Sequence, residues 1–299
     1  MDSSSDRNIV ETARAYCELM RLDRPVGTLL LLWPTLAALW IAAEGPPPTP
    51  ILLVFVLGTF VMRAAGCVIN DIADQEFDPH VDRTKSRPLA DGRLHTRQAL
   101  VCFAVLLAIG FCLVFTLNVL TWWMALGGVL VSIIYPFMKR FTHVPQLVLG
   151  VAFSWGILMA GTAIANKLSL PILCFFTVSF LWIVAYDTQY AMVDREDDLK
   201  IGLKSTAILF GSMDRYVIAG LQFAVLALLL TLGGLAQLNV LFLSSLVVVA
   251  MLFLYQSFLT WSRRRESCFR AFKNNATVGL VLFVGVVLNY AVAVPAIQM

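Results

Sequence analysis

Apolar residues run through this chain in long blocks separated by short polar breaks. About 20 consecutive apolar residues are needed to cross a bilayer as a helix. Nine blocks qualify, at roughly 25–43, 50–69, 97–117, 120–137, 147–165, 171–193, 215–236, 240–261 and 276–297. The fourth is short, and the sixth turns polar at its end. No segment shows the alternating period of a strand. The pattern predicts an all-α integral membrane protein with nine transmembrane helices. Residues 1–24 form an N-terminal segment, and 25–297 form a single helical domain. Loops at about 70–96 and 194–214 would cap that domain.

Composition agrees with this reading. The 299 residues are 59% hydrophobic and only 14% charged, against about 25% charged in soluble domains. Most Lys and Arg fall in five segments: the N-terminus, and the connections after spans 2, 4, 6 and 8. The positive-inside rule places those segments in the cytoplasm, with the N-terminus inside and the C-terminus outside. In a bacterium this is the inner membrane. Nothing in the charge pattern points to nucleic acid, and oligomeric state is not legible. Asp2 and Asp6, with no apolar run after them, do not form a signal-peptide pattern. Residues 8–22 read as an amphipathic helix with Ile9, Val10, Ala13, Tyr16, Cys17 and Met20 on one face. It either lies in the interface or packs on the bundle. The six cysteines lack CxxC spacing, and His80, His95 and His143 are isolated.

Two acidic clusters interrupt the apolar pattern. The first is Asn70-Asp71-Ile-Ala-Asp74-Gln-Glu-Phe-Asp78, and the second runs from Tyr186-Asp187 through Tyr190 and Asp194 to Asp197-Asp198. Both are expected at the inner ends of even-numbered spans. A charge at the centre of a membrane helix costs roughly 2.5–3.5 kcal/mol on insertion scales. Asn70, Asp74 and Asp78 are spaced i, i+4, i+8, and Asp187, Asp194 and Asp198 are spaced i, i+7, i+11, so each set forms one stripe if helical. Stacked carboxylates repel unless a cation lies between them. The donors are all oxygen, which selects a hard ion: Mg²⁺, or Mn²⁺ or Ca²⁺, rather than zinc. Such an ion completes its shell with water and phosphate oxygens. Arg83, Lys85 and Arg87 follow the first cluster, Lys139 and Arg140 end span 4, and Lys204 follows the second cluster. These bases suit a diphosphate whose ester carries an apolar tail. Arg63 and Asp187, inside spans 2 and 6, are expected to pair with each other.

These residues resemble the UbiA superfamily of intramembrane prenyltransferases. Asn70-Asp71-x-x-Asp74-x-x-x-Asp78 is similar to its NDxxDxxxD signature, and Tyr186-Asp187-x-x-Tyr190-Ala191-x-x-Asp194-x-x-Asp197-Asp198 to its second motif. The likeness extends to Arg21-Leu-Asp23-Arg24-Pro25, to Tyr135-Pro136-Phe137-Met138-Lys139-Arg140, and to the run from Lys204 to Gly211. The subgroup most resembled is the bacterial 4-hydroxybenzoate polyprenyltransferases. The resemblance implies a nine-helix bundle around a central cavity, with the two motifs facing each other at its cytoplasmic mouth. It implies Mg²⁺ on Asn70, Asp74 and Asp78, and on Asp194 and Asp198. Asp71, Asp187 and Lys204 match motif positions and are expected in the catalytic machinery. Arg140 would meet the diphosphate or the aromatic carboxylate, with Arg24 a second candidate for the carboxylate. Arg83, Lys85, Lys139 and Tyr190 would contact substrate. Tyr135, Trp155 and Tyr190 could stabilise an allylic cation. The implied reaction joins a polyprenyl diphosphate to the ring carbon of 4-hydroxybenzoate ortho to its hydroxyl. A different aromatic acceptor, a lipid diphosphate hydrolase and a cation-coupled transporter are the alternatives. Acids clustered at one face, rather than at the bilayer midplane, count against the transporter.

Overall fold

The computed structural model describes residues 3–81 and 83–293. Among them, every regular element is helical. The helices are α1 (Ser3–Leu19), α2 (Val26–Ala43), α3 (Thr49–Ala73), α4 (Thr96–Val114), α5 (Val119–Ile134), α6 (Met138–Phe141), α7 (Pro145–Ala165), α8 (Leu170–Ile201), α9 (Thr206–Phe210), α10 (Asp214–Leu235), α11 (Val240–Thr260) and α12 (Arg265–Ala293). Nine stretches among the described residues are long and apolar enough to cross a membrane. They match the nine predicted blocks, and the tail of the ninth block lies outside the described residues.

Local chemistry sets the helix ends. Proline occupies the first turn of α3, α7 and α8, where its missing N–H would be unsatisfied in any case. Asn118 caps α5 by accepting from the Thr121 amide, and Asn239 caps α11 by accepting from Leu241. Gly202 closes α8 in the left-handed region at φ 73°, where a side chain would be strained.

The main core joins α2, α7, α8, α10, α11 and α12 around Leu39, Ile157, Ile172, Trp182, Leu229 and Phe242. A chain of buried amides also links four of these helices. The Gln256 carbonyl accepts from Gln189 (3.0 Å) and Gln222 (2.8 Å), and its amide donates to Asn274 (2.9 Å) and Asn275 (3.3 Å). Asn275 returns a bond to Gln189 (3.0 Å) and accepts one from the Trp182 indole (2.8 Å). This network holds one face of α8, leaving its opposite face to the cavity.

Two boundaries are corrected here and one alternative is decided. α8 continues to Ile201, so the first eight residues of the expected loop at 194–214 are helical. α12 begins at Arg265, three turns before the predicted start, because Cys268, Ala271 and Asn275 bury one face of that charged turn. Of the two readings of residues 8–22, the second holds, and α1 packs on the bundle. Ala15 and Leu19 are buried against Val68, Leu89, Leu94 and Ala99, while Val10 of the predicted apolar face is exposed.

Candidate active site

A cavity of about 1540 Å³ opens at the end of the bundle that carries both acidic clusters. Asn70, Asp71, Asp74, Asp78, Asp187, Asp194 and Asp198 all line it. It continues past Arg63, Gly58 and Val54 of α3, past Phe111 of α4 and past Leu117 beyond it, so its deeper walls are mostly apolar. A charged mouth above a greasy shaft suits an ester with a polar head and a hydrocarbon tail.

The first cluster is not one continuous helical stripe. α3 stops at Ala73, and Asp74 is its C-cap, its amide donating to the Asn70 carbonyl at 2.9 Å. Asp78 opens a separate 3₁₀ turn, Asp78–His80. The cause is Pro79, since a residue before proline is disfavoured in an α-helix. The turn is tied by the Thr84 hydroxyl, which donates to the Asp78 carbonyl (2.9 Å). The second cluster does lie on one helix: Asp187, Asp194 and Asp198 all belong to α8.

Basic side chains stitch the two clusters together. Arg83, from the loop after the first cluster, reaches Asp194 with two bonds of 3.0 and 2.6 Å. It also donates to the Tyr190 hydroxyl and lies 4.7 Å over the Tyr190 ring. Lys139 pairs with Asp74. Arg87 reaches Asp78 at 2.8 Å and Asp71 at 3.1 Å, and Arg21 holds Asp71 with bonds of 2.9 and 2.8 Å. Burial raises the Asp78 carboxyl above the ordinary carboxylate range, and Arg87 partly offsets this.

Among the described residues, no three carboxylate, histidine or cysteine groups converge as a preformed metal cage. The donor chemistry nevertheless fits a hard cation. The Asp74 Oδ1 is buried with no hydrogen-bond partner, although its Oδ2 accepts from Asn70 at 3.2 Å. An orphaned carboxylate oxygen is costly unless something occupies it, and a divalent ion on Asn70, Asp74 and Asp78 would do so.

The remaining predicted residues divide. Tyr190, Lys204 and Arg24 line the cavity. Lys204 also donates to the Phe141 carbonyl (3.4 Å), and Arg24 pairs with neighbouring Asp23 (3.2 Å). Lys85 is not among the lining residues. Neither is Arg140, which donates to the Ala73 carbonyl and lies over the rings of Phe77 (5.1 Å) and Phe137 (5.7 Å). Its place is at the C-terminus of α3, where a cation meets free carbonyls.

The expected Arg63–Asp187 pair does not form. The Arg63 Nε is buried and unpartnered, and the guanidinium sits 5.8 Å over the Phe153 ring. The helix rotations separate two charges that sequence alone would have joined. This leaves an uncompensated cation in the cavity wall, and sequence reasoning missed its value. The signal was there: Arg63 precedes Asn70 by seven residues, hence on the same face of α3. A second missed group is Tyr186. Its hydroxyl is buried without a partner, and its ring is wedged edge-on against Trp182 (5.9 Å, 90°) and Phe272 (5.9 Å, 66°). It too lines the cavity.

Comparison with known proteins bears on this geometry. Residues 31–287 match the UbiA prenyltransferase family. The chain is 54% identical to a 4-hydroxybenzoate octaprenyltransferase of Pectobacterium atrosepticum, over 92% of its own length and 96% of that protein's. It is also 54% identical to the protein of that name from Aeromonas hydrophila, over 94% and 98%. Its fold superimposes on a UbiA homolog from Aeropyrum pernix K1 with a TM-score of 0.78 at 22% identity, covering 87% of this chain and 97% of that one. A UbiA homolog from Archaeoglobus fulgidus, solved bound to GPP and Mg²⁺, superimposes with a TM-score of 0.67 at 18% identity, covering 92% and 99%.

Proposed function

The chain belongs to the UbiA prenyltransferase family, and from that premise we propose the reaction its cavity performs. The protein transfers a polyprenyl group from polyprenyl diphosphate to 4-hydroxybenzoate, at the ring carbon ortho to the hydroxyl. Relatives sharing about half its residues along nearly the whole chain carry that activity in their names. The observation that carries the reading is one cavity lined by both acidic clusters, by bases for a diphosphate, and by an unpaired guanidinium for a carboxylate.

A divalent ion, which we take as Mg²⁺, fits Asn70, Asp74 and Asp78 on one side and Asp194 and Asp198 on the other. When bound it would neutralise charge on the diphosphate as the allylic C–O bond breaks. The protein's own residues complete the site. Lys139, Arg83 and Lys204 line the mouth and can meet diphosphate oxygens. Tyr135, Tyr190 and Trp155 present aromatic faces to a developing allylic cation. Trp155 is held in place by its indole, which donates to the Met124 carbonyl at 2.6 Å. The apolar shaft excludes the water that would capture the cation. Arg63, rather than Arg24 or Arg140, receives the acceptor's carboxylate, because its guanidinium lies in the cavity wall without a counter-ion.

We place the N-terminus and the cavity mouth in the cytoplasm, from the distribution of Lys and Arg. The test is to incubate membranes holding the protein with 4-hydroxybenzoate, octaprenyl diphosphate and Mg²⁺, and to read products by mass spectrometry. The expected product is 3-octaprenyl-4-hydroxybenzoate. Release of diphosphate with no prenylated ring would overturn the transferase reading in favour of a hydrolase.

A further inference from the structure

Asp71 stands beside Asn70 in the first motif, and its neighbours in the motif are the metal-binding candidates. The structure gives it a different occupation. Asp71 is only 1% exposed, and both its oxygens are taken by Arg21, at 2.9 and 2.8 Å. Arg87 approaches the same carboxylate at 3.1 Å. Arg87 then reaches Asp78 with bonds of 3.0 and 2.8 Å. One unbroken chain, Arg21–Asp71–Arg87–Asp78, thus runs from the N-terminal segment to the 3₁₀ turn that presents the motif's last carboxylate.

The near end of the chain is equally constrained. Arg21 adopts a left-handed backbone at φ 55°, which non-glycine residues rarely do unless the surroundings enforce it. Its guanidinium also donates to the Glu18 carbonyl at 2.5 Å, closing the last turn of α1. The Glu18 carboxylate pairs with Arg93 at 2.6 Å, so the N-terminal segment is tied at Arg21 to the first cluster and at Glu18 to the segment that follows it. Bidentate arginine–carboxylate contacts fix orientation as well as distance.

We propose that Asp71 is a positioning residue rather than a metal ligand. It is the shared counter-ion of a two-arginine clamp that aims Asp78 at the metal and straps α1 over the cavity mouth. Two part-buried guanidinium groups share this one carboxylate, the most deeply buried of the first cluster's three aspartates at 1% exposed. The inference rests on the reading above, in which Asp78 holds the ion. It adds that Arg21, fifty residues away in sequence, governs metal affinity without touching the metal.

The test measures Mn²⁺ affinity by electron paramagnetic resonance on the purified full-length protein, together with trypsin cleavage at Arg14. Arg21→Ala and Asp71→Asn should each weaken Mn²⁺ binding by about tenfold, the usual scale for an outer partner of a ligand. The double variant should be no weaker than the worse single variant, because both break one clamp. Arg21→Lys should recover most of the loss, and both single variants should speed cleavage of α1. Melting temperatures identify any variant that fails to fold, and the Arg21→Lys and Asp71→Asn pair then decides. Unchanged Mn²⁺ affinity in Arg21→Ala, or losses that add in the double variant, would overturn the clamp and make Asp71 an independent ligand. Asp78→Asn is the control. If it binds Mn²⁺ normally, the metal reading itself fails and the clamp with it; if it loses the ion while Arg21→Ala does not, only the clamp fails.

Discussion

Replacing Arg63 by Met separates binding from stability, because the native cation has no partner to lose. Its Nε is buried and unbonded, and its guanidinium lies over the Phe153 ring at 5.8 Å and against Gly27. Methionine preserves much of the apolar stem. Removing an unpaired, part-buried charge should therefore leave the melting temperature unchanged or raise it. Acceptor binding should suffer instead. A hydrogen bond to a charged group contributes about 1.5–3 kcal/mol, which corresponds to a roughly 10- to 150-fold rise in KM for 4-hydroxybenzoate. The KM for polyprenyl diphosphate should be unmoved. Mass-spectrometric rates with the acid and with its neutral methyl ester provide the internal control, since only the acid has the charge that Arg63 would answer. Equal losses with acid and ester would refute the assignment. A fall of several degrees in melting temperature would also refute it, by revealing a partner for Arg63 in the folded protein.

Further substitutions address the remaining parts of the site. Asp74→Asn and Asp194→Asn should each abolish turnover, and chelation by EDTA followed by added Mg²⁺ should restore activity only to the unmodified protein; activity retained in either variant would remove it from the metal set. Gly27→Val should raise the acceptor's KM, because a Cβ at that position would collide with the Arg63 guanidinium; an unchanged KM would mean that Arg63 is free to move aside. Gln256→Leu deletes the centre of the amide network and four of its hydrogen bonds. At about 0.6 kcal/mol for each membrane-buried bond, the loss should be roughly 2.4 kcal/mol, visible as a lower melting temperature in detergent.

The legibility of this fold follows from how local each signal is. A transmembrane span is a property of one contiguous stretch, so the nine blocks were readable by length alone. Two boundaries were poorly readable: the end of α8, where Asp194 to Asp198 carry the helix past the apolar run to Ile201, and the start of α12, where Arg265, Glu266, Arg270 and Lys273 dilute the apolar pattern around the buried face of Cys268 and Ala271. The break in the first cluster was readable in principle, since Pro79 argues against Asp78 continuing the helix. Pairings were not. Whether Arg63 meets Asp187, or Arg21 meets Asp71, depends on helix rotations and on contacts fifty or more residues apart. Arg140 illustrates the same limit. A base at the mouth of a span looks like a substrate contact, yet here it faces the Ala73 carbonyl at the end of α3.

The depths of the polar groups argue for one orientation of the acceptor. Arg63 lies seven residues before Asn70 on α3, about 10 Å below it along the helix. Tyr186 lies eight residues before Asp194 on α8, about 12 Å below it by the same rise. The two groups without partners thus occupy one level, well beneath the level at which a metal–diphosphate would sit. An acid held there by its carboxylate directs the opposite end of its ring, with the hydroxyl and its ortho carbons, back toward the mouth. That is where the allylic carbon must be when it leaves the diphosphate. An acid anchored instead at Arg24, beside exposed Asp23, would turn its carboxylate to the mouth and its reactive carbon away from the bond being broken. The same geometry predicts that 3-hydroxybenzoate will bind Arg63 but react more slowly, because its two carbons ortho to the hydroxyl lie opposite and beside the carboxylate, and neither occupies the position that the 4-hydroxy acid presents to the allylic carbon.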